Sequence, residues 1–240
     1  MTALRILHVD DEPDIREVVD LSLALDPAFA VRSCDGGRDA VAAAIDWPPD
    51  LMLIDVMMPG MDGPATLAAL RRTPQTAGIP VVFMTARAES QEIQRLKALG
   101  AVGVIAKPFD PMTLAATVRS QLHAIGTAAL CTRFMARLRD DVNGLLARRC
   151  DMRRDATSSA AVRVELEAFA RALRDAADVL RFDELGALAD RLARAVTATM
   201  NGAGSLDDVD RVLDALLVAS EPAAAAGHED RYSLSAASRR

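Results

Sequence analysis

Five polar residues are placed where they could act together: Asp10, Asp11, Asp55, Thr85 and Lys107. Each ends or follows a short apolar run, at residues 5–9, 51–54, 81–84 and 102–106. In neighbouring parallel strands, the carboxyl ends of these runs would meet at one rim. Three carboxylates at such a rim repel one another unless a cation sits among them. A hard dication held by few carboxylates and several waters is the usual arrangement of Mg²⁺. The Lys107 ammonium neutralises further negative charge, and Thr85 offers one hydroxyl. A dication, an ammonium and a hydroxyl together are equipped to stabilise the oxygens of a phosphoryl group. Asp55 is then the nucleophile, forming an acyl phosphate.

The elements that must position these residues are legible in the first 125 residues. Besides the four apolar runs, residues 29–31 read as a strand. Helical spacing occupies residues 15–25, 39–45, 66–70, 93–99 and 111–125. Continuous apolar strands alternating with amphipathic helices imply a parallel sheet covered on both faces. Five such units predict a flavodoxin-like α/β domain with a doubly wound sheet, whose ligands bind beyond the carboxyl ends of the strands.

The segments Val9-Asp10-Asp11-Glu12-Pro13, Asp55-Val56-Met57-Met58-Pro59-Gly60, Met84-Thr85-Ala86 and Lys107-Pro108-Phe109 resemble the receiver domain of two-component response regulators. The spacings agree too: 44 residues from Asp11 to Asp55, 30 from Asp55 to Thr85 and 52 from Asp55 to Lys107. The resemblance implies that Asp55 is phosphorylated by a histidine kinase or a phosphotransfer protein. It implies that Asp11, Asp55 and the Met57 backbone carbonyl bind Mg²⁺, with Asp10 acting through water. Thr85 and Lys107 would contact the phosphoryl group, and the Lys107-Pro108 bond would be cis. One departure is Val104, where many receivers carry Tyr or Phe three residues before the lysine. A valine cannot make the aromatic rotamer move usually coupled to the threonine. Plainer roles fall to other residues: Asp14 and Asp62 as helix caps, His8 as a core residue, and Glu12 at the pocket rim.

Composition changes after the first half. Residues 1–125 carry 11 basic and 16 acidic residues, and residues 126–240 carry 17 and 18. Ten of 11 prolines precede residue 112, and the strand-like runs stop at residue 106. The second half is expected to be all-helical. Its stripes are Leu130, Phe134, Leu138, Val142, Leu145; then Val162, Leu166, Phe169, Leu173, Ala176, Leu180; then Leu185, Leu188, Leu192, Val196; and last Leu206, Val209, Leu213, Leu216. Ser205 with Asp208 reads as a capping box opening the last helix. Four stripes imply a four-helix bundle. The expected organisation is a receiver at 1–125, a linker at 126–129, a bundle at 130–219 and a disordered tail at 220–240. Residues 148–160, rich in Arg, Asp and Ser, read as a solvated connection.

Residues 170–186 resemble the phosphohistidine helix and turn of histidine phosphotransfer (HPt) domains. The family's histidine falls at Arg171 and its glycine at Asp175. A guanidinium is not a usable phosphoryl nucleophile, so the resemblance implies a degenerate module that binds without transferring phosphate. The alternative is an unrelated helical dimerisation bundle.

A net charge of −6 argues against a nucleic-acid coat. No apolar run approaches the length of a membrane span. Residues 1–5 lack the basic stretch and apolar core of a secretory signal, and the three cysteines (Cys34, Cys131, Cys150) lack metal spacing. The expectation is a cytoplasmic, non-enzymatic phosphoacceptor that assists its own phosphorylation and dephosphorylation. It would signal through protein contacts of its helical half, with a homodimer as one form. A phosphate sink and an unrecognised enzymatic output are the alternatives.

Overall fold

The computed structural model describes residues 3–125, 128–152 and 156–221. The predicted separator Gly126-Thr127 and the predicted tail beyond Glu221 lie outside the described residues. The chain divides into two compact units, one covering Leu4–Gly126 and the other the residues after it.

The first unit alternates β1 (Leu4–Val9), α1 (Pro13–Ala24), β2 (Phe29–Cys34), α2 (Gly37–Asp46), β3 (Leu51–Asp55), α3 (Gly63–Arg72), β4 (Val81–Thr85), α4 (Ser90–Ala98), β5 (Gly103–Ala106) and α5 (Pro111–Ile125). The strands form one sheet in the order β2-β1-β3-β4-β5, parallel at every pairing. This is the flavodoxin-like arrangement that the alternation predicts. Every residue of β3 and β4 is buried, which explains their unbroken apolar sequences. β2 is longer than its apolar stretch suggests. It continues through Arg32, Ser33 and Cys34 because its position at the sheet edge accepts polar side chains.

Two predicted caps fare differently. The Asp62 carboxylate accepts from Ala65 N at 2.7 Å and caps α3. Glu12 holds the cap position of α1 without a side-chain bond, and Asp14 lies in the first turn, where its charge favours the helix N-terminus. Far from the rim, Arg119 of α5 donates from Nε to Asp26 Oδ2 at 2.5 Å and from Nη2 to Oδ1 at 2.8 Å. The pair ties α5 to the turn before β2. Burial pushes the Asp26 carboxyl up, but the Arg119 bonds and the Ala28 N–H outweigh it and hold it below the usual carboxylate range. A carboxyl lowered on folding adds stability above its unfolded pKa and loses it as pH falls through the folded one. Asp26→Asn is therefore expected to destabilise at pH 7 by up to about 1 kcal/mol, since the pair is partly open to solvent. Urea unfolding should show the difference vanish in acid.

The second unit contains α6 (Ala128–Met152), α7 (Ala156–Leu180), α8 (Asp183–Met200) and α9 (Leu206–Ala219). α7 packs on α8, α8 on α9, and α6 on both α7 and α9. Nearly every predicted stripe residue is buried; Leu206 alone is half-buried. The capping box of Ser205 and Asp208 is present. Residues 148–160 are a correction. α6 runs on to Met152 and α7 starts at Ala156, so helix covers most of the expected connection. Arg, Ala and Met are good helix formers, and charge alone does not end a helix. The helix also begins two residues before the expected start of the bundle at residue 130, at Ala128. Ser220, placed in the expected tail, is buried, and its carbonyl accepts from Arg139 Nη2 at 2.8 Å. Among the described residues, no helix is long and apolar enough to cross a membrane.

Candidate functional site

Strand register builds the site. β1 and β3 lie side by side with Val9 opposite Ile54, so Asp10 and Asp55 emerge at the same edge. Asp55 pairs with Met84 on β4, and Thr85 pairs with Ala106 on β5. The Lys107 N–H donates to the Thr85 carbonyl at 2.7 Å, which sets the lysine beside the threonine.

Lys107 Nζ then reaches across the edge. It donates to Asp10 Oδ2 at 2.6 Å and to Asp55 Oδ1 at 2.5 Å. Asp10 is fully buried and Asp55 nearly so. The other oxygen of each carboxylate is held by backbone: Asp10 Oδ1 accepts from Glu12 N at 3.1 Å, and Asp55 Oδ2 from Met57 N at 2.7 Å. The partners of the ion pair respond differently. Burial pushes the Asp55 carboxyl above the usual carboxylate range, and Lys107 restores only part of the shift. Burial pushes the Lys107 ammonium down, but its bonds to Asp10 and Asp55 outweigh this and hold it above the usual lysine value. Asp55 bears the cost of the arrangement because it sits against apolar β3 and β4 and feels the negative charge of Asp10 as well.

The remaining predicted residues are placed less tightly. Thr85 is buried, and its Oγ1 accepts from Arg87 N at 3.0 Å. Met57 is exposed beside Asp55. Asp11 is half-buried. Among the described residues, no three His, Cys, Asp or Glu side chains are arranged to hold a metal ion. Lys107 holds Asp10 and Asp55 together through its single ammonium. The Lys107-Pro108 bond is cis, as the resemblance implies. Val104 is half-buried against the core cluster of Ile54, Phe83 and Leu96.

Two features of the site carry no signal in residue type. Arg16, on α1, donates from Nη1 to the Asp10 carbonyl at 2.7 Å and the Asp11 carbonyl at 3.0 Å, fixing the peptide between the two aspartates. Helical periodicity puts Arg16 on α1, but only the turn geometry shows what it holds. Gly63 lies against the back of Asp55: a Cβ there would meet the Asp55 carbonyl at 2.4 Å and Phe83 Cε1 at 2.9 Å. Gly63→Ala is expected to destabilise by about 1–3 kcal/mol through overpacking against backbone, read from the urea midpoint.

Residues 6–119 match the family model of the response regulator receiver domain. The phosphate regulon transcriptional regulatory protein PhoB of Pseudomonas aeruginosa is 35% identical over 127 residues, covering 52% of this chain and 55% of that protein. The DNA-binding dual master transcriptional regulator RpaA of a Synechocystis strain is 36% identical over 119 residues, covering 50% of this chain and 49% of that protein. The chain therefore spans about half the length of the curated relatives it matches. Among solved structures, the Vibrio cholerae chemotaxis protein CheY4 is 33% identical, with a TM-score of 0.46, covering 49% of this chain and 98% of that one. Residues 6–119 belong to the response regulator receiver family.

Proposed function

We propose that the chain is a response regulator of a two-component phosphorelay, with Asp55 accepting a phosphoryl group from a histidine kinase or a histidine phosphotransfer protein in a Mg²⁺-dependent reaction. The observation that carries this reading is Lys107 Nζ set between Asp10 and Asp55 at the carboxyl ends of the strands. Receiver domains normally bind Mg²⁺ at their phosphorylation site, and the donor chemistry here fits that ion. The donors are all hard oxygens. Two of the carboxylates share one monovalent ammonium, so negative charge remains before Asp11 is counted. Asp11, Asp55 and the Met57 carbonyl would hold the ion, with Asp10 acting through water. When bound, Mg²⁺ supplies positive charge that offsets the phosphoryl oxygens.

The protein's own residues do the rest. Met57 N–H pins Asp55 Oδ2 and leaves Oδ1, the oxygen on Lys107, to attack. A phosphorus–oxygen bond forms on Asp55 as the phosphorus–nitrogen bond of the donor phosphohistidine breaks, and the departing imidazole takes a proton. Lys107 and Thr85 contact the transferred group and stabilise its charge. The receiver spans residues 1–125. The helical unit is a four-helix bundle over residues 130–219 that docks protein partners or a second copy of itself. Arg171 is exposed on α7 where an HPt helix carries its histidine, which supports docking without transfer. The relatives named as transcriptional or DNA-binding regulators match this chain over only about half its length. The helical unit contains no lysine, and no nucleic-acid role is proposed for it.

Incubation of the full chain with acetyl phosphate and Mg²⁺, followed by intact mass and peptide mapping, tests the reading. One phosphoryl group on Asp55, absent with chelator, is expected. Uptake indifferent to chelator, or mapped elsewhere, overturns it. Light scattering on the same sample reads self-association.

A further inference from the structure

The helical unit carries a groove between α7 and α8. The two helices meet there at small residues, and a Cβ built on Gly186 would stand 3.9 Å from the Ala177 methyl. Beside this contact lies a cleft of about 320 Å³. Ala177, Phe182 and Gly186 line its floor, and Ala177 and Phe182 are buried. Asp178 and Asp183 line its rims, and both are exposed. Farther from the turn, Arg174 pairs with Asp190. The lining therefore holds three carboxylates against one guanidinium, and that guanidinium is bonded to Asp190. An apolar floor between acidic rims suits a segment of small side chains with positive charge.

Such a segment follows α9 in the sequence. Arg231-Tyr232-Ser233-Leu234-Ser235-Ala236-Ala237-Ser238-Arg239-Arg240 carries three arginines and no Asp or Glu. These residues lie outside the described ones, but the chain leaves α9 close to the groove. Arg139 Nη2 holds the Ser220 carbonyl at 2.8 Å, and Phe134, five residues earlier on the same helix, stacks on Phe182 of the groove floor. Five residues of α-helix rise only about 7.5 Å. Ser220 and the groove thus lie at the same end of the unit. Residues 222–230 separate Glu221 from Arg231 and reach up to about 30 Å when extended. We propose that residues 231–240 dock in the α7–α8 groove of the same chain, with arginines against Asp178 and Asp183 and small residues over the Ala177–Gly186 contact. A segment tethered this way acts at roughly millimolar effective concentration. A groove that holds the free peptide at only about 0.1 mM is then about nine-tenths filled by the chain's own segment. The helical unit carries its own competitor for any protein that would use the same groove. This docking is independent of the chemistry at Asp55.

The test is fluorescence anisotropy of a labelled peptide of residues 222–240 with three full-chain proteins. The first is the wild type. The second carries Arg231→Gln, Arg239→Gln and Arg240→Gln, which leave the described fold untouched and free the groove. The third adds Asp178→Asn and Asp183→Asn, with folding checked by circular dichroism. If Asp183→Asn, at the start of α8, impairs folding, Asp178→Asn is used alone. The second protein should bind the peptide, less tightly as salt is raised. The wild type should bind it about tenfold more weakly, because its own segment competes, and the third protein should lose most of the binding. Equal binding by the wild type and the second protein means that the chain's own segment is not in the groove, and overturns the proposal. Undiminished binding by the third protein puts the peptide elsewhere and overturns it too, as does no binding by any of the three. Light scattering covers the remaining occupant: a wild-type dimer that falls to a monomer in the second protein would seat the segment in another copy and overturn docking within one chain.

Discussion

Asp55→Asn is expected to take up no phosphoryl group and yet to be more stable than the wild type at pH 7. The first effect follows because an amide cannot form the acyl phosphate. The second follows from burial. Asp55 is 6% exposed, and loss of water raises its pKa more than Lys107 and the Met57 N–H lower it. A group whose pKa is raised on folding contributes stability that is fully present below its unfolded value, ~3.9 for aspartate. That contribution is lost as pH rises through the folded value. At pH 7 the ionised carboxylate is therefore a net burden on the fold. Asparagine keeps the shape without the charge, and Lys107 keeps Asp10 as its partner. Urea midpoints across pH should show the mutant ahead at neutrality and level with the wild type in acid. Mg²⁺ should raise the wild-type midpoint, because it binds the folded state, and leave the mutant nearly unmoved. A mutant less stable than the wild type at pH 7 would show that the Lys107 pair outweighs burial. Stability and function then oppose one another at this residue, as expected where charge is held ready for chemistry.

Much of this was legible in the sequence because the sheet is simple. A buried parallel strand needs an unbroken apolar run, so residues 51–54 and 81–84 announce β3 and β4, and the polar residue after each run marks the rim. Lys107 could be placed beside Asp55 from topology alone. The finer arrangement was not legible. That one Lys107 ammonium bonds both Asp10 and Asp55 depends on side-chain reach, which periodicity does not encode. Arg16 and Gly63 act through backbone carbonyls, and any residue type supplies a carbonyl. In the helical unit, stripes predict the buried faces well, but charged residues at 148–160 hid the helix ends. Arg and Asp sit equally well on a solvated helix and in a loop.

Phe134→Ala is expected to cost the helical unit about 3–5 kcal/mol. Phe134 is fully buried on α6, and its ring stacks on Phe182, before α8, with centroids 6.5 Å apart and planes within 15°. Arg137 lies 5.9 Å from the same ring. The surrounding buried side chains are mostly Leu, Val and Ala, and Phe169 is the remaining aromatic of this core. Few large side chains are present to close over a cavity, so collapse should recover little of the loss. Domains of this size are stable by about 5–15 kcal/mol, so one truncation removes a large fraction. The two units have separate cores. Phe134→Ala should therefore lower the midpoint of the helical unit while acetyl phosphate still labels Asp55. Thermal unfolding followed by circular dichroism, together with a labelling assay on the same sample, reads both. A single transition shifted as a whole, with labelling lost in parallel, would mean that the receiver depends on the helical unit for its own fold. A split transition with labelling retained would place the phosphoacceptor chemistry wholly within the first unit and leave the helical unit to carry the output.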